Sequence, residues 1–259
     1  MKTLLDALYG LLRPAARHCT VCLREIRGDA PAESAIPVRL PAARAELSRL
    51  CSACLTRIPW IRSPLCPVCG RPGRCGDCLR RTKTYFTGVR CAVQYEGEMK
   101  QWLADYKYKG AERYATVMAA MLSGALEQLQ SASAAARPFN LVTSVPLAPG
   151  RLEERGFNQA ERMAAALAFW HGIPYRPMLV RTRDTEKQSR KGRRGRIEDM
   201  RGLFAPAVSF AVPQRATRPL RILLADDIYT TGSTMNDCAR AILEAVPSAE
   251  VYGIAWSRT

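Results

Sequence analysis

The sequence predicts an α/β fold in which a parallel sheet flanked by helices follows a small cysteine-rich module. The run 222–225 is continuously apolar, as expected of a strand buried on both faces of a parallel sheet, and the run 140–145 predicts a second buried strand. A helical pattern follows each run, as in βα units. Eight of the ten cysteines lie within 19–78. We therefore expect an N-terminal helix and the cysteine-rich module over 1–84, and the α/β domain over 85–259.

Length and composition are consistent with one domain and a smaller module, since 259 residues can bury a sizeable core. The chain carries 39 Lys and Arg against 23 Asp and Glu, a formal charge of +16, which favours a polyanionic partner such as nucleic acid. No apolar run approaches the roughly 20 residues that span a bilayer. Leucines at helical spacing in 1–16 predict a docking helix and not a secretory signal. We expect a cytoplasmic protein, and recruitment to the inner face of the membrane stays open.

Four C-x-x-C pairs dominate the cysteine-rich module. They are Cys19 and Cys22, Cys51 and Cys54, Cys66 and Cys69, and Cys75 and Cys78. Two thiolates at this spacing can face one tetrahedral metal ion, so four pairs predict two structural zinc ions. Disulfides are the alternative, but no oxidising context is apparent. Sequential pairing would leave only residues 70–74 between the last two pairs, so an interleaved pairing stays open.

The segment between Cys78 and the run 140–145 contains a strand pattern and a helical pattern. Alternating apolar side chains over 89–95 predict a half-buried strand. The helical pattern over 98–114 ends in Lys107, Tyr108 and Lys109. These lysines either complement the helix C-terminus or, interleaved with tyrosines, form a track for single-stranded nucleic acid. The sequence favours neither alternative.

Residues 144–164 read as a loop that leads into a helix ending near Trp170. Arg151 and Arg155 in this loop can supply forked donors to phosphate oxygens. Farther on, nine of the 21 residues in 181–201 are basic and no apolar period is present, which predicts a mobile basic arm. A solvated basic loop without a ligand is the alternative.

The run 222–225 ends in Asp226 and Asp227. Adjacent carboxylates at the carboxyl end of a parallel strand lie where open α/β sheets bind ligands, and their charge requires a partner such as a metal ion or sugar hydroxyls. The loop that follows offers hydroxyls and a glycine before a helical pattern over 235–245, which suits an anion. Its residues are Thr230, Thr231, Gly232, Ser233 and Thr234. The alternative is an ordinary Ser/Thr helix cap, with the acids solvated in a turn.

This order of strand, Asp-Asp, x-x-T-T-G-S-T and helix resembles the phosphoribosyl diphosphate (PRPP) motif of type I phosphoribosyltransferases. The resemblance implies that Asp226 and Asp227 hold the ribose 2- and 3-hydroxyls and that residues 230–234 cradle the 5-phosphate, with Mg²⁺ as cofactor. It also implies a diphosphate loop one strand–helix unit earlier. The residues assigned to that loop are Pro146, Arg151, Arg155, Asn158 and Gln159.

The segments V-P-L and R-x-x-x-R-G-F-N-Q-A narrow the resemblance to the ComF family of competence-associated proteins, whose members carry cysteine knuckles on a phosphoribosyltransferase-like domain. All three parts occur here in that order. In the family a T-x-x-Q segment followed by arginines acts as a flap over the phosphate site. The matching residues are Thr185, Gln188, Arg194 and Arg196. Asp199 and Lys191 depart from the family pattern, which weakens the flap assignment.

Two functions are compatible with these features. The resemblance implies a protein that handles single-stranded DNA in natural transformation, with PRPP or a related phosphosugar bound at the acidic pair and DNA-uptake proteins as partners. The alternative is a Mg²⁺-dependent phosphoribosyltransferase acting on an unidentified nitrogen nucleophile. No base-recognition segment is found, and no catalytic residue is assigned. The sequence therefore favours DNA handling and leaves turnover of PRPP undecided.

Overall fold

The computed structural model describes residues 17–26, 35–132, 137–182, 202–207 and 218–259. The predicted N-terminal helix and the predicted flap residues, Thr185, Gln188, Arg194 and Arg196, lie outside these ranges. Among the described residues, no helix is long and apolar enough to cross a membrane.

Short helices come first among the described elements, and strands and longer helices are interspersed from Gly88 onward. The helices are α1 (Pro41–Leu47), α2 (Ser52–Thr56), α3 (Gly76–Leu79), α4 (Glu98–Tyr108), α5 (Arg113–Ala132), α6 (Pro149–Arg155), α7 (Gln159–Trp170) and α8 (Ser233–Ala245). The strands are β1 (Gly88–Gln94), β2 (Leu141–Ser144), β3 (Leu179–Arg181), β4 (Phe204–Pro206), β5 (Arg221–Tyr229) and β6 (Glu250–Arg258).

Four parallel strands form the central sheet in the order β1-β6-β5-β2. Strands β3 and β4 form a separate antiparallel pair. The first five residues of β5 are fully buried, because helices cover both faces of the sheet, as the continuous apolar run requires. The predicted fold class, a parallel sheet flanked by helices and preceded by a cysteine-rich region, is confirmed in these features.

Each face of the sheet has its own hydrophobic core. Leu223 of β5 and Trp256 of β6 face α5 and α7, and the Trp256 indole nitrogen lies 3.2 Å from the Met121 sulfur. Ile222 and Leu224, which alternate with Leu223 along β5, belong to the core beneath α8. The period of two along a strand thus sorts neighbouring residues between two layers of helices.

The cysteine-rich module contributes to both cores. Leu47 and Leu50, on and just after α1, are buried in the same cluster as α5. Ile61 and Cys69 belong to the cluster beneath α8. Apolar residues on both sides of residue 84 therefore share cores, while the division of the chain into two domains at that point stays a prediction.

Strand β1 is buried on both faces, and the predicted half-buried pattern over 89–95 is wrong in this respect. Six of its seven residues are buried, including Arg90. The module runs along the free edge of β1, where the Ile61 amide donates to Ala92 O at 2.9 Å and the Gln94 amide donates to Pro59 O at 3.0 Å. The edge strand is therefore covered by chain that precedes it.

Gly253 of β6 lies where the sheet meets α8. An added Cβ would lie 2.8 Å from both the Met235 sulfur and Val89 Cγ2. We expect Gly253→Val to lower the free energy of unfolding by about 1–3 kcal/mol through overpacking, measured by urea denaturation. Gly73→Val is the matched control, because nothing lies within 4 Å of its Cβ position. Equal stability of the two variants would contradict this packing.

Candidate functional site

The acidic pair, Asp226 and Asp227, lies where β5 extends beyond its neighbour β2. Strand β2 ends at Ser144, opposite Ala225, whereas β6 pairs with β5 as far as Tyr229. The prediction that the strand ends at Asp226 and Asp227 is therefore wrong by two residues, because β6 continues to supply backbone partners. The carboxylates still lie just past the carboxyl end of β2, at the edge where such sheets bind ligands.

Asp227 is 7% exposed and is held by side chains from two helices. Lys107 Nζ of α4 lies 2.6 Å from Asp227 Oδ2, and Gln159 Nε2 of α7 donates to the same oxygen at 2.5 Å. Lys109, two residues farther on, instead pairs with Asp105 at 2.9 Å on the exposed side of α4. The two lysines that the sequence treated alike therefore have different roles.

Lys107 is a site residue that the sequence reasoning missed. A usable signal was present, because Lys107 lies four residues after Leu103 and so on the same helical face as that buried leucine. Lys109 lies four residues after Asp105, which explains its local ion pair. The position of Lys107 against Asp227 depends on how α4 packs and has no local signature.

The two carboxyl groups titrate in opposite directions. Burial raises the pKa of Asp226, and the negative charge of Asp227 raises it further. Burial alone would also raise the pKa of Asp227, but the Lys107 ammonium and the Gln159 amide hold it below its ordinary value. Asp226 Oδ1 also accepts a hydrogen bond of 2.8 Å from the Asp227 amide. The pair thus retains its charge on Asp227, beside an ammonium.

The predicted diphosphate loop contains a helix. Pro149 begins α6, and Gly156, with φ 77°, ends it in the left-handed conformation. Both residues are ordinary helix boundary signals, so the purely loop assignment of this stretch was wrong for a reason visible in the sequence. Asn158 then caps α7, accepting from the Ala160 amide at 3.0 Å and donating to Val145 O at 3.0 Å. Both hydrogen bonds of the Asn158 side chain therefore go to backbone groups of the protein.

The remaining predicted loop residues divide between the acidic pair and the surface. Arg155 donates to Gln159 Oε1, and its guanidinium lies 5.5 Å from the centre of the Tyr108 ring. Arg155 is thus linked through Gln159 to Asp227. Arg151 pairs with Glu154 at 3.6 Å on the more exposed side of α6. Pro146 is half-buried where the chain leaves β2.

The hydroxyl loop, residues 230–234, leads into α8, and no side chain caps the start of this helix. Gly232, with φ 78°, occupies the N-cap position, so the predicted alternative of a Ser/Thr cap is not what this helix uses. Thr231 Oγ1 and Ser233 Oγ lie 2.9 Å apart, and Thr230 is exposed. A Cβ at Gly232 would lie 2.1 Å from the Tyr229 hydroxyl oxygen, so the close approach requires glycine. The first amides of α8 remain without a side-chain acceptor, which suits an anion.

Arg81 is a second residue that the sequence reasoning did not assign. Its guanidinium donates to Thr231 O and lies 5.2 Å from the centre of the Phe86 ring. Asn236 of α8 holds the same segment, accepting from the Tyr85 amide at 2.8 Å and donating to the carbonyl of residue 83 at 3.1 Å. The chain that follows Cys78 is therefore held against the hydroxyl loop by Arg81 and against α8 by Asn236.

The eight paired cysteines form two groups of four in sequential order, which resolves the open pairing. They are Cys19, Cys22, Cys51 and Cys54, and Cys66, Cys69, Cys75 and Cys78, with the sulfur atoms of each group within 4.8 Å of one another. Closest contacts include Cys22 to Cys51 at 3.8 Å and Cys69 to Cys75 at 3.4 Å. A disulfide requires about 2.05 Å. Zinc–sulfur bonds of about 2.3 Å in a tetrahedron place sulfurs about 3.8 Å apart, so both groups fit zinc.

The remaining two cysteines, Cys91 and Cys238, are fully buried and unpaired, as expected of small apolar residues. Arg258, also buried, packs against the second cysteine cluster, donating to Cys69 O at 3.1 Å. Its guanidinium lies 4.7 Å from the centre of the Tyr229 ring. Arg258 thus links the second cluster to Tyr229, whose hydroxyl approaches Gly232 of the hydroxyl loop.

Comparison with solved structures gives weak similarity. An adenine phosphoribosyltransferase from Thermoanaerobacter pseudethanolicus ATCC 33223 is 14% identical, and the alignment covers 62% of this chain and 86% of that chain with a TM-score of 0.29. At this score the similarity carries no argument about the site. No protein-family model matches the chain.

Comparison with curated proteins gives closer relatives. The chain is 29% identical to "Competence protein ComFC" of Bacillus subtilis (strain 168), over 78% of this chain and 81% of that protein. It is 27% identical to "DNA utilization protein YhgH" of Salmonella typhimurium, over 75% and 84%. It is 32% identical to "Competence protein ComFC" of Streptococcus pneumoniae, over 76% and 83%. With this identity maintained over most of both chains, the protein belongs to the ComF family.

Proposed function

We propose that this protein handles single-stranded DNA in natural transformation and binds PRPP or a related phosphosugar at the acidic pair. The observation that carries the proposal is the placement of two kinds of recognition group at one edge of the sheet. Asp226 and Asp227 offer acceptors for ribose hydroxyls. The uncapped start of α8 at Gly232 offers amides to a phosphate. A phosphosugar needs both.

The DNA-handling part of the proposal is supported by the relatives and by charge. Relatives named for competence and for DNA utilization align over most of the chain. The formal charge of +16 suits a polyanion. Among the described residues, Arg71, Arg74 and Arg258 line a cavity of about 430 Å³ beside the second cysteine cluster. Arg74, which is exposed, offers a contact for a backbone phosphate.

A phosphoribosyltransferase is the second candidate function. The intact acidic pair favours it, because contacts to a DNA backbone alone would not need two carboxylates. Release of diphosphate from PRPP in the presence of candidate nitrogen nucleophiles distinguishes turnover from binding.

Each cysteine group is proposed to hold one structural zinc ion, with Cys19, Cys22, Cys51 and Cys54 as one ligand set. The second set consists of Cys66, Cys69, Cys75 and Cys78. A bound zinc supplies a cross-link between knuckles and leaves no coordination position for a substrate. Because the knuckles contribute to the cores on both faces of the sheet, metal removal should destabilise the whole protein.

Zinc content tests these ligand sets. We expect about two zinc ions per purified wild-type chain, since two closed tetrahedral groups are present. Cys51→Ser together with Cys54→Ser should reduce the content to about one, measured by elemental mass spectrometry. Cys238→Ala, which changes a buried cysteine outside both groups, should keep two. Equal zinc content in the two variants would contradict the assignment.

Ligand binding tests the acidic pair. We expect Asp226→Ala to weaken PRPP binding by about twofold to tenfold, because the substitution removes an acceptor whose net hydrogen bond contributes about 0.5–1.5 kcal/mol. Isothermal calorimetry measures the affinity, and thermal unfolding shows whether the fold is retained. Glu154→Gln is the control, because it removes one exposed carboxylate of α6. If both variants bind PRPP like the wild type, the ribose assignment is wrong.

The salt dependence of DNA binding tests the basic segment 181–201. We expect fluorescence anisotropy of a labelled single-stranded oligonucleotide to show salt-dependent binding that PRPP alters. Replacing Arg193, Arg194 and Arg196 with Gln should reduce the slope of log affinity against log salt by about 2, because each single-strand phosphate contact contributes about 0.7.

A matched triple variant controls for net charge. It replaces Arg39, Arg49 and Arg57 with Gln, three arginines that are more than half exposed on the N-terminal side of the protein. We expect it to keep the wild-type slope. Equal slopes for the two triple variants would exclude the segment as the phosphate contact, and absence of any DNA binding would contradict the proposed function.

A further inference from the structure

The acidic pair already has a cation, and that cation is part of the chain. Lys107 Nζ and Gln159 Nε2 both contact Asp227 Oδ2, at 2.6 Å and 2.5 Å. Asp226 Oδ1 accepts from the Asp227 amide. Magnesium requires a nearly octahedral set of oxygens at about 2.0–2.1 Å, and an ammonium against the buried carboxylate occupies that space. These residues therefore do not fit the magnesium ion that the family resemblance implied.

We propose that Lys107 takes the place of a divalent ion at the acidic pair, so that the site binds its anionic phosphosugar without magnesium. The inference rests on the proposed phosphosugar function and specifies its chemistry. The difficulty that called for a metal was that two carboxylates repel phosphate. An ammonium 2.6 Å from Asp227 cancels one of those charges within the protein.

Packing holds the ammonium at this position. The Lys107 side chain is 17% exposed, whereas that of Lys109 is 70% exposed. Tyr106, the preceding residue, is fully buried, and its hydroxyl lies 3.5 Å from Gln159 O at the start of α7. The end of α4 is thus fastened to the helix that supplies Gln159. Lys107 is therefore fixed in the site by packing, unlike an exposed surface lysine.

The charge balance of the pair agrees with this role. Burial and the charge of Asp227 raise the pKa of Asp226, which favours its neutral form, while Asp227 keeps its charge beside Lys107. The group of three side chains then carries little net charge in place of two negative charges. An ammonium has three N–H donors, and one is enough for Asp227. The other two can turn toward phosphate oxygens of a ligand.

Binding without divalent ions tests the inference. Calorimetric titration with PRPP is performed on zinc-loaded protein in resin-treated, magnesium-free buffer and again with excess Mg²⁺. A soluble chelator is not used, because it would remove zinc. We expect the wild type to bind PRPP in both buffers. Lys107→Met should lose at least tenfold in affinity without magnesium, whereas Lys109→Met should bind like the wild type.

Lys107→Arg keeps the positive charge and therefore separates the effect of the charge from an effect of altered packing. We expect it to lose less affinity than Lys107→Met in magnesium-free buffer, with unchanged far-ultraviolet circular dichroism in all three variants. Wild-type binding that requires magnesium would overturn the inference, as would equal affinities of Lys107→Met and Lys109→Met. A wild type that binds PRPP in neither buffer would refute the proposed phosphosugar function itself.

Discussion

The buried charge of Asp227 is the constraint on which the arrangement of the site depends. A carboxylate that is 7% exposed is costly unless it is paired and hydrogen-bonded, and here the partners come from α4 and α7. One carboxylate oxygen therefore joins three segments that are far apart in the sequence. Loss of Lys107 would leave a buried charge without an opposite charge, at a cost of about 3–5 kcal/mol.

The cysteine-rich module belongs to this arrangement and is more than an attachment to the sheet. Its first cluster joins the core under α5 and its second joins the core under α8, on the opposite face. From the second cluster the chain continues to Arg81, which donates to Thr231 O in the hydroxyl loop. The protein thus links its proposed metal sites to its proposed phosphate site through covalent chain and a guanidinium.

Local patterns explain what could be predicted from the sequence. Three features could be predicted from short stretches of sequence: the apolar run of β5, the loop before α8, and the C-x-x-C pairs. Helix α6 also had local signals, Pro149 and Gly156, which the assignment of a ligand loop obscured. The spacing from Leu103 places Lys107 on the buried face of α4, but nothing local identified its partner or that of Arg81, because each partner lies more than a hundred residues away in the sequence. Such contacts follow from packing and are invisible to periodicity.

The surroundings of Lys107 also connect the two ligands of the proposed function. Tyr108 is 67% exposed, and Arg155 lies over its ring while bonding to Gln159 of the acidic site. An exposed aromatic ring beside a guanidinium is the kind of platform on which unpaired bases stack. A base there and a phosphosugar at Asp227 would share Arg155 and Gln159. Linkage then requires that PRPP change DNA affinity by the same factor as DNA changes PRPP affinity.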